Sequence, residues 1–472
     1  MAKKPTEHFE CSECGWTTTK WVGQCRECSA WGTLEQTQVL EAAPQAGGAK
    51  ALAPSSPAAP ISKVSAEVAR YRSTGVSEFD RVLGGGIVPG AVVLLAGEPG
   101  VGKSTLLLDV AARSAADAVG SGPVLYISAE ESASQIRLRA ERIGALHDNL
   151  LLAAEANLET ILGHVDSTNP CLLIVDSVQT IYTLDMEGSA GGVSQVRAVA
   201  ARLIRAAKER NLPVILVGHV TKDGGIAGPR ILEHLVDVVC QFEGDRHARL
   251  RLLRAVKNRY GPTDEVGCFD LRDSGIVGLP DPSGLFLSHT GITTPGTCIT
   301  VTLEGRRPMP TEVQALVAHT NAGSPRRTTS GIDHSRVAMM LAVCQARLGV
   351  DTSTTDVYVS TVGGAKTSEP AADMATALAI MSAAWNRPIK TELIAIGEVG
   401  LTGEIRATAG VQRRLTEAAR LGFKQAIVPS TGSEDLKAVN GLTIYPVTDL
   451  ATAAKVGLTS PDNTGRKRKE LP

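Results

Sequence analysis

Nine consecutive residues, Gly97-Glu98-Pro99-Gly100-Val101-Gly102-Lys103-Ser104-Thr105, carry the first chemistry legible in the chain. The spacing G-x-x-x-x-G-K-[ST] turns successive backbone N–H groups into one concavity that fits a triphosphate. In such a phosphate loop Lys103 reaches the β- and γ-phosphates, Ser104 ligates Mg²⁺, and the helix N-terminus that follows stabilises the negative charge. The residues therefore imply ATP and Mg²⁺ as cofactors. Hydrolysis also needs carboxylates. Cys171-Leu172-Leu173-Ile174-Val175-Asp176 is an apolar run ending in an acid, the Walker B arrangement in which Asp176 holds the Mg²⁺ water shell. In Ser128-Ala129-Glu130-Glu131 a second run ends in acids, and Glu130 is the candidate general base for the attacking water, with Glu131 as its understudy. The plainer reading is that both glutamates open the next helix as first-turn acids.

A second chemistry lies near the start of the chain. Cys11-x₂-Cys14-x₁₀-Cys25-x₂-Cys28 forms two knuckles whose paired thiolates bite one ion, the spacing of a four-cysteine Zn²⁺ site. With every ligand position taken by Cys, the ion has no open site for catalysis. Its binding, worth about 10–16 kcal/mol in such modules, supplies the folding free energy of a segment too small to fold by burial. Trp16, Trp21 and Trp31 are expected to pack around the knuckles, a recognition face being the alternative. Cys171, Cys240, Cys268, Cys298 and Cys344 are scattered singly and read as small apolar residues rather than a disulfide framework.

The phosphate loop must sit between a strand and a helix. Ala91–Ala96 reads as a buried strand, and Ser104 to Ala118 has helical periodicity through Leu107, Val110, Ala111 and Ser114. Strand candidates Val92–Ala96, Val124–Ser128, Leu172–Asp176 and Val214–Val217 alternate with helical stretches. That pattern predicts an α/β fold with a mainly parallel sheet and the nucleotide at the carboxyl ends of its strands. After Val236–Val239, the period-two stretch Arg249–Lys257 predicts an antiparallel strand that extends the sheet at its far edge, away from the phosphate-loop strand. Lys257 and Arg259 at its end are two residues apart and point to one side. Two long glycine-rich connections, Tyr182 to Arg197 and His219 to Arg230, carry Arg197, Lys222 and Arg230, with Arg202 and Arg205 on the helix after the first. Such a rim can neutralise nucleic-acid phosphates locally, and Arg197, Lys222 and Arg230 are the DNA-binding candidates. Ordinary solvated loops are the alternative.

The composition sets bounds on these readings. A chain of 472 residues exceeds one core, and a net charge of −1 excludes a global basic field, so any nucleic-acid binding must come from local patches. No apolar run approaches the roughly 18 residues of a membrane span, and the first residues lack a signal peptide's apolar segment, which predicts a cytoplasmic protein with no membrane partner. The expected layout is a zinc finger at 1–38, an Ala/Pro/Gly/Ser-rich linker at 39–66, an ATPase domain at 67–290, a further domain at 291–456 and a basic tail at 457–472.

With these pieces placed, the chain resembles the bacterial RadA (Sms) family of RecA-like DNA-repair ATPases over nearly its whole length. The resemblance rests on the four-cysteine module, Ser73-Thr74-Gly75-Val76 with Leu83-Gly84-Gly85-Gly86 ahead of the phosphate loop, Ala129-Glu130-Glu131-Ser132, and Lys257-Asn258-Arg259-Tyr260-Gly261. The family usually has Phe where this chain has Tyr260. The resemblance implies a RecA-like ATPase core in which the two glycine-rich loops line a DNA channel. It also implies that Lys257 and Arg259 act on the nucleotide of a neighbouring subunit. The implied assembly is a homo-oligomer, a hexameric ring, acting on single-stranded or branched DNA in strand exchange and branch migration. The RecA recombinase and the replicative helicase machinery are the implied protein partners.

From about Ile292 to Val456 the sequence resembles the proteolytic domain of Lon, an α+β domain that the family carries at its C-terminus. Where Lon has its catalytic Ser, Glu369-Pro370-Ala371-Ala372-Asp373 places Ala371. Where Lon has its Lys, Ala409-Gly410-Val411-Gln412 places Gln412. Without a hydroxyl nucleophile or an amine base no acyl-enzyme forms, which predicts a structural domain for oligomerisation. Arg306, Arg307, Arg326, Arg327 and Lys366 are candidates for a DNA-contacting surface, scattered surface cations being the alternative, and the tail Gly465–Lys469 is an auxiliary phosphate contact. Two rival functions remain. An ATP-dependent protease is disfavoured by the absent Ser–Lys pair, and a zinc-tethered adaptor holding ATP as a structural ligand is disfavoured by intact Lys103, Asp176 and Glu130.

Overall fold

A computed structural model of the chain describes residues 8–11, 16–18, 20–37, 60–63, 70–117, 122–219, 232–244, 248–287, 294–320, 324–364 and 366–460. Cys14, Lys222, Arg230 and the tail Gly465–Lys469 lie outside the described residues. The chain divides into two compact units, Met1–Ser65 and Ala66–Pro472. The small unit is an antiparallel sheet of β1 (His8–Cys11), β2 (Thr17–Thr18) and β3 (Leu34–Thr37) in the order β2-β1-β3. Its buried core is Phe9, Cys11, Cys25 and Leu34, with Trp16 and Val22 packed on it.

The large unit opens with α1 (Ser77–Leu83) and then alternates strand and helix. The elements are β4 (Val92–Gly97), α2 (Lys103–Asp117), β5 (Val124–Ser128), α3 (Ala133–Ile143), β6 (Leu150–Ala154), α4 (Leu158–Thr168), β7 (Leu172–Asp176), α5 (Val193–Arg210) and β8 (Val214–His219). They continue with β9 (Val238–Glu243), β10 (Leu250–Asn258), β11 (Val266–Arg272) and β12 (Gly275–Gly278). One nine-stranded sheet results, ordered β12-β11-β10-β9-β4-β8-β7-β5-β6. From β9 to β6 the strands are parallel, and β9 to β12 pair antiparallel. β4 is buried at all six positions because apolar clusters cover both faces of the sheet: Leu106, Leu107 and Val110 of α2 on one, Val199 and Leu203 of α5 on the other. That two-sided burial makes β4, β5, β7 and β8 continuous apolar runs.

One expectation about the sheet is corrected. β10 is an interior strand, two places from β4, with β11 and β12 extending the sheet beyond it. Its alternation does not mark an edge with one wet face. Leu253 and Ala255 pack in the cluster that contains Phe79 and Val82 of α1, while Leu250 and Leu252 pack with Phe286 and Met309.

After α6 (Ser283–Phe286), a second sheet holds β13 (Thr297–Glu304), β14 (Arg307–His319), β15 (Arg327–Ser330), β16 (Thr355–Thr361), β17 (Leu393–Ala395), β20 (Gln425–Pro429) and β21 (Thr443–Val447), ordered β15-β16-β14-β13-β17-β20-β21. β18 (Glu398–Val399) and β19 (Ile405–Arg406) form a separate pair. The helices are α7 (His334–Leu348), α8 (Asp373–Trp385), α9 (Val411–Arg420) and α10 (Leu450–Gly457). α8 is buried continuously from Asp373 to Ser382, which makes it the central helix of this α+β domain.

Arg307 does not face solvent, whereas Arg306 stays 52% exposed. Arg307 is buried against Glu78 of α1, Arg306 pairs with Asp264 at 2.5 Å, and Arg254 of β10 pairs with Glu304 at 2.6 Å. The β13–β14 turn is thus clamped onto the ATPase sheet. Arg327 spends its guanidinium on the carbonyls of Thr355 and Thr352, at 2.6 and 2.7 Å. Among the described residues no helix is long and apolar enough to cross a membrane.

Candidate nucleotide-hydrolysis site and zinc module

The phosphate loop joins the carboxyl end of β4 to α2, and its glycines are there for space. A Cβ on Gly97 would lie 2.4 Å from the Phe242 carbonyl oxygen. On Gly102, at φ +109°, it would meet Ile276 Cδ1 at 2.7 Å. Gly100 turns the chain at φ +81°, a left-handed conformation open to glycine. Lys103 is the first residue of α2 and is buried, and its Nζ donates to the Gly97 carbonyl at 2.8 Å and the Glu98 carbonyl at 3.0 Å. Burial pulls its pKa down to about 8, opposed by the charges of Asp176 and Glu130. Ser104 and Thr105 follow in a first turn that carries no acid, leaving the helix N-terminus positive for phosphate.

The acids come from the tips of β5 and β7, which pair in parallel with Ser128 opposite Asp176. Tyr126 donates its hydroxyl to Asp176 at 2.8 Å. Glu130 accepts from the Ser177 hydroxyl at 2.5 Å and lies 3.3 Å from His219 Nε2 at the tip of β8. Glu131 turns the other way, onto Arg139 at 2.8 Å. The reading of both glutamates as first-turn acids is not what the chain does, because α3 begins after Ser132, whose side chain caps it in a box with Gln135. The site thus gathers Lys103, Glu130 and Asp176 and adds Tyr126, Ser177 and His219, which sequence reasoning missed. Gln179 supports His219 through its carbonyl at 3.3 Å, and His219 Nδ1 and Gln179 Oε1 are buried with no hydrogen-bond partner. Polar residues just past the tips of apolar strands were the signal available for Ser177 and His219. The donor set fits magnesium nucleotide: one ammonium, a hydroxyl at Ser104, a carboxylate at Asp176 and unpartnered backbone N–H groups at a helix start.

Lys257 and Arg259 lie at the opposite end of the sheet. Lys257 sits across from Val239, and Arg259 donates its backbone N–H to Asp237, whose own N–H donates to Val92 at the start of β4. At about 3.3 Å per residue the six residues of β4 put this end about 17 Å from Gly97. Lys257 Nζ donates to the carbonyls of Glu233 and Val236 at 2.7 and 2.8 Å, and Arg259 pairs with Asp237 at 3.2 Å. Among the loop cations, Arg202 is held by Glu159 and Asp185, each at 2.7 Å, and Arg205 by Glu209. Arg197 is exposed on α5.

In the small unit the Sγ atoms of Cys11, Cys25 and Cys28 all lie within 4.8 Å of one another, with Cys11 and Cys28 at 3.7 Å. Tetrahedral zinc with bonds of about 2.3 Å sets sulfurs about 3.8 Å apart, so the thiolates fit the ion. The tryptophans do not all pack on the knuckles. Trp16 does, but Trp21 and Trp31 are 63% and 75% exposed, outside the described core.

Ala371, expected at the position of a Lon nucleophile, is fully buried in the turn Pro370–Ala372. Gln412, at the position of the Lys, donates to the Lys437 carbonyl at 3.2 Å. Two residues on, Arg414 is fully buried, paired with Glu369 and donating to Val301 O at 2.6 Å. An ion pair thus occupies the neighbourhood of Ala371 and Gln412.

A phosphate loop at a strand-to-helix junction, with acids at the tips of parallel strands, defines a RecA-like P-loop ATPase. Residues 58–225 match the AAA domain family, residues 9–36 the rubredoxin metal binding domain, and residues 336–459 the Lon protease (S16) C-terminal proteolytic domain. Over 433 residues, 90% of this chain and 92% of the relative, it is 55% identical to the DNA repair protein RadA of Mycolicibacterium smegmatis. It is 41% identical to that of Bacillus subtilis over 97% of this chain and the whole of the relative. The chain belongs to the RadA family of DNA repair proteins.

Proposed function

We propose that this chain is a DNA-dependent ATPase of recombinational repair that assembles as a ring, a hexamer, on single-stranded or branched DNA and promotes strand exchange and branch migration. The observation that carries the reading is the split of its cations. Lys103 lies at the carboxyl end of β4 and Lys257 with Arg259 at its amino end, about 17 Å away at about 3.3 Å per residue, too far to meet on one triphosphate. A neighbour's phosphate loop brought to that end completes the site.

Within it Lys103 and the α2 N-terminus hold the β- and γ-phosphates. Ser104 and Asp176 would hold Mg²⁺, which would supply charge neutralisation to the phosphates. Glu130, oriented by Ser177 and His219, takes the proton of the attacking water, and the neighbour's Arg259 offsets charge on the transferring phosphoryl group. The DNA reading is supported by the relatives named as DNA repair proteins and by the loop after β7. Gln195 ties that loop through the carbonyls of Thr183, Met186 and Gly188 at 3.2, 2.5 and 3.3 Å, and Leu184, Met186 and Arg197 are exposed. Arg197, with Lys222 and Arg230, is assigned to DNA phosphates.

ATPase rates with single-stranded, duplex and forked DNA test this, together with branch migration of a labelled three-strand intermediate. Stimulation by single-stranded or forked DNA and ATP-dependent product are expected. Equal rates with and without every DNA would overturn it.

A further inference from the structure

Asp237 is 3% exposed and serves as a hub at the amino end of β4. Its Oδ2 accepts from the Val92 N–H at 3.0 Å and from Lys208 Nζ at 2.6 Å, and its Oδ1 accepts from Arg259 at 3.2 Å. Lys208 comes from the last turn of α5, an element remote in sequence from the Lys257–Arg259 strand end. We propose that Lys208 is a third cation of the site that acts on a neighbouring subunit's triphosphate, and that Asp237 is the positioning residue that holds it beside Arg259. This rests on the reading that Arg259 works in trans.

Three features argue for a ligand-facing set rather than a closed ion pair. The side chains of Lys208 and Arg259 are 47% and 57% exposed, while the carboxylate that holds them is 5% exposed, so the anion is inside and the cations look outward. Most of their donors are also unspent. Lys208 uses one strong hydrogen bond, to Asp237, plus a long contact of 3.5 Å to the Tyr260 hydroxyl, and Arg259 places one side-chain N–H on Asp237. An ammonium offers three donors and a guanidinium five, so the pair keeps several for phosphate oxygens. Finally, Lys208, Lys257 and Arg259 outnumber the anions acting on them, Asp237 and Glu233: burial and then Arg259 push the Lys257 pKa down, while Asp237 raises that of Lys208 against its burial and keeps it a cation. Like charges held together in this way are relieved by an arriving polyanion. Asp237 fixes their geometry by gripping the backbone of β4, which prevents the two long side chains from drifting apart.

The test uses the full-length chain. ATPase kinetics and nucleotide affinity are measured for Lys208→Gln, Lys208→Arg, Asp237→Asn and Arg259→Ala, each alone and mixed with hydrolysis-deficient Lys103→Ala subunits in mixtures shown to co-assemble. Lys208→Gln is expected to lower kcat by at least about tenfold, a fraction of the 10³–10⁵ that an arginine finger supplies, with nucleotide Kd unchanged within about twofold. Lys208→Arg should recover most of that loss, and Asp237→Asn should lower kcat in the same way. Mixing Lys208→Gln with Lys103→Ala should restore activity, as mixing Arg259→Ala should. Restoration for Arg259→Ala with wild-type kcat in Lys208→Gln would overturn the role of Lys208 and leave the trans reading standing. A Lys208→Gln defect that mixing does not restore would make Lys208 a support within its own subunit and overturn the proposal. No restoration for Arg259→Ala would remove the trans reading itself.

Discussion

Arg307 and Glu78, 229 residues apart in sequence, meet as an ion pair whose side chains are 7% and 0% exposed. Glu78 also accepts the Cys268 N–H at 2.9 Å, and the guanidinium donates to the carbonyls of Val266, Leu279 and Pro280 at 3.0, 2.7 and 2.8 Å. The Lon-like sheet is therefore hydrogen-bonded into the ATPase sheet. Arg307→Ala would leave a buried carboxylate with only the half-exposed Arg81, at 3.3 Å, for charge. A loss of about 3–5 kcal/mol in denaturant unfolding is expected, and pairing it with Glu78→Gln should recover a large part because the stranded charge is then gone.

The depressed pKa of Lys103 predicts how nucleotide affinity varies with pH. A triphosphate needs the ammonium and raises its pKa, so binding takes up a proton wherever the free site has lost one. Affinity should be flat below about pH 7.5 and weaken by up to about tenfold per unit as pH rises through about 8. The stability of the nucleotide-free chain responds with opposite sign. Between about 8 and 10.5 the unfolded state binds the extra proton, so raising pH through that window relieves the cost of burying the charge. Titration with a fluorescent ATP analogue from about pH 6.5 to 9.5 checks the first effect, and Lys103→Arg, charged throughout, should bind with a flat profile.

Cys28→Ser should release zinc and unfold the first unit only. The ribbon core is four buried side chains, two of them ligands, whereas the second unit carries its own extensive cores. Metal content should fall to zero, and the main calorimetric transition should stay within a few degrees of wild type. Loss of that transition would show that the ribbon supports the rest of the chain.

The sequence disclosed what local pattern encodes. Val124–Ser128 and Leu172–Asp176 were legible to the residue because two-sided burial writes an uninterrupted apolar run. β8 runs two residues past its apolar part, through Gly218 and His219, and a contact of Glu130 was hidden there. The interior position of β10 depends on β11 and β12 pairing beyond it, a non-local fact that no period reveals. Arg307 looked like a surface cation because its partner, Glu78, lies far off in sequence, whereas Arg306 is one, paired with Asp264 at the surface. Trp21 and Trp31 were misjudged for the opposite reason: apolar side chains in a module whose core is too small to bury them.

No peptidase activity is expected from the Lon-like domain. Ala371 has no hydroxyl and is sealed from solvent, and Gln412 is an amide engaged with Lys437. Casein should survive incubation with the wild-type chain and with Ala371→Ser, since a lone buried hydroxyl lacks its base. A serine-reactive covalent probe that labelled the wild-type domain would place a nucleophile elsewhere.

Glu130 and Glu131 are adjacent and differ in what they touch, which makes them separable. Glu130 faces Ser177 and His219 among the candidate site residues, whereas Glu131 is bound to Arg139 on α3 and donates its backbone N–H to the Ser128 hydroxyl. Glu130→Gln keeps the shape and the hydrogen bonds but removes the basicity, so kcat should fall by about 10²–10⁴ while ATP binding persists. Glu131→Gln weakens a partly exposed ion pair, worth about 0–1 kcal/mol where such pairs meet solvent, and should leave the rate within a few fold. Single-turnover hydrolysis of labelled ATP reads the chemical step directly, without product release. The reverse pattern, a slow Glu131→Gln and a near-normal Glu130→Gln, would move the general base one residue along the chain and make the Ser177 and His219 contacts structural.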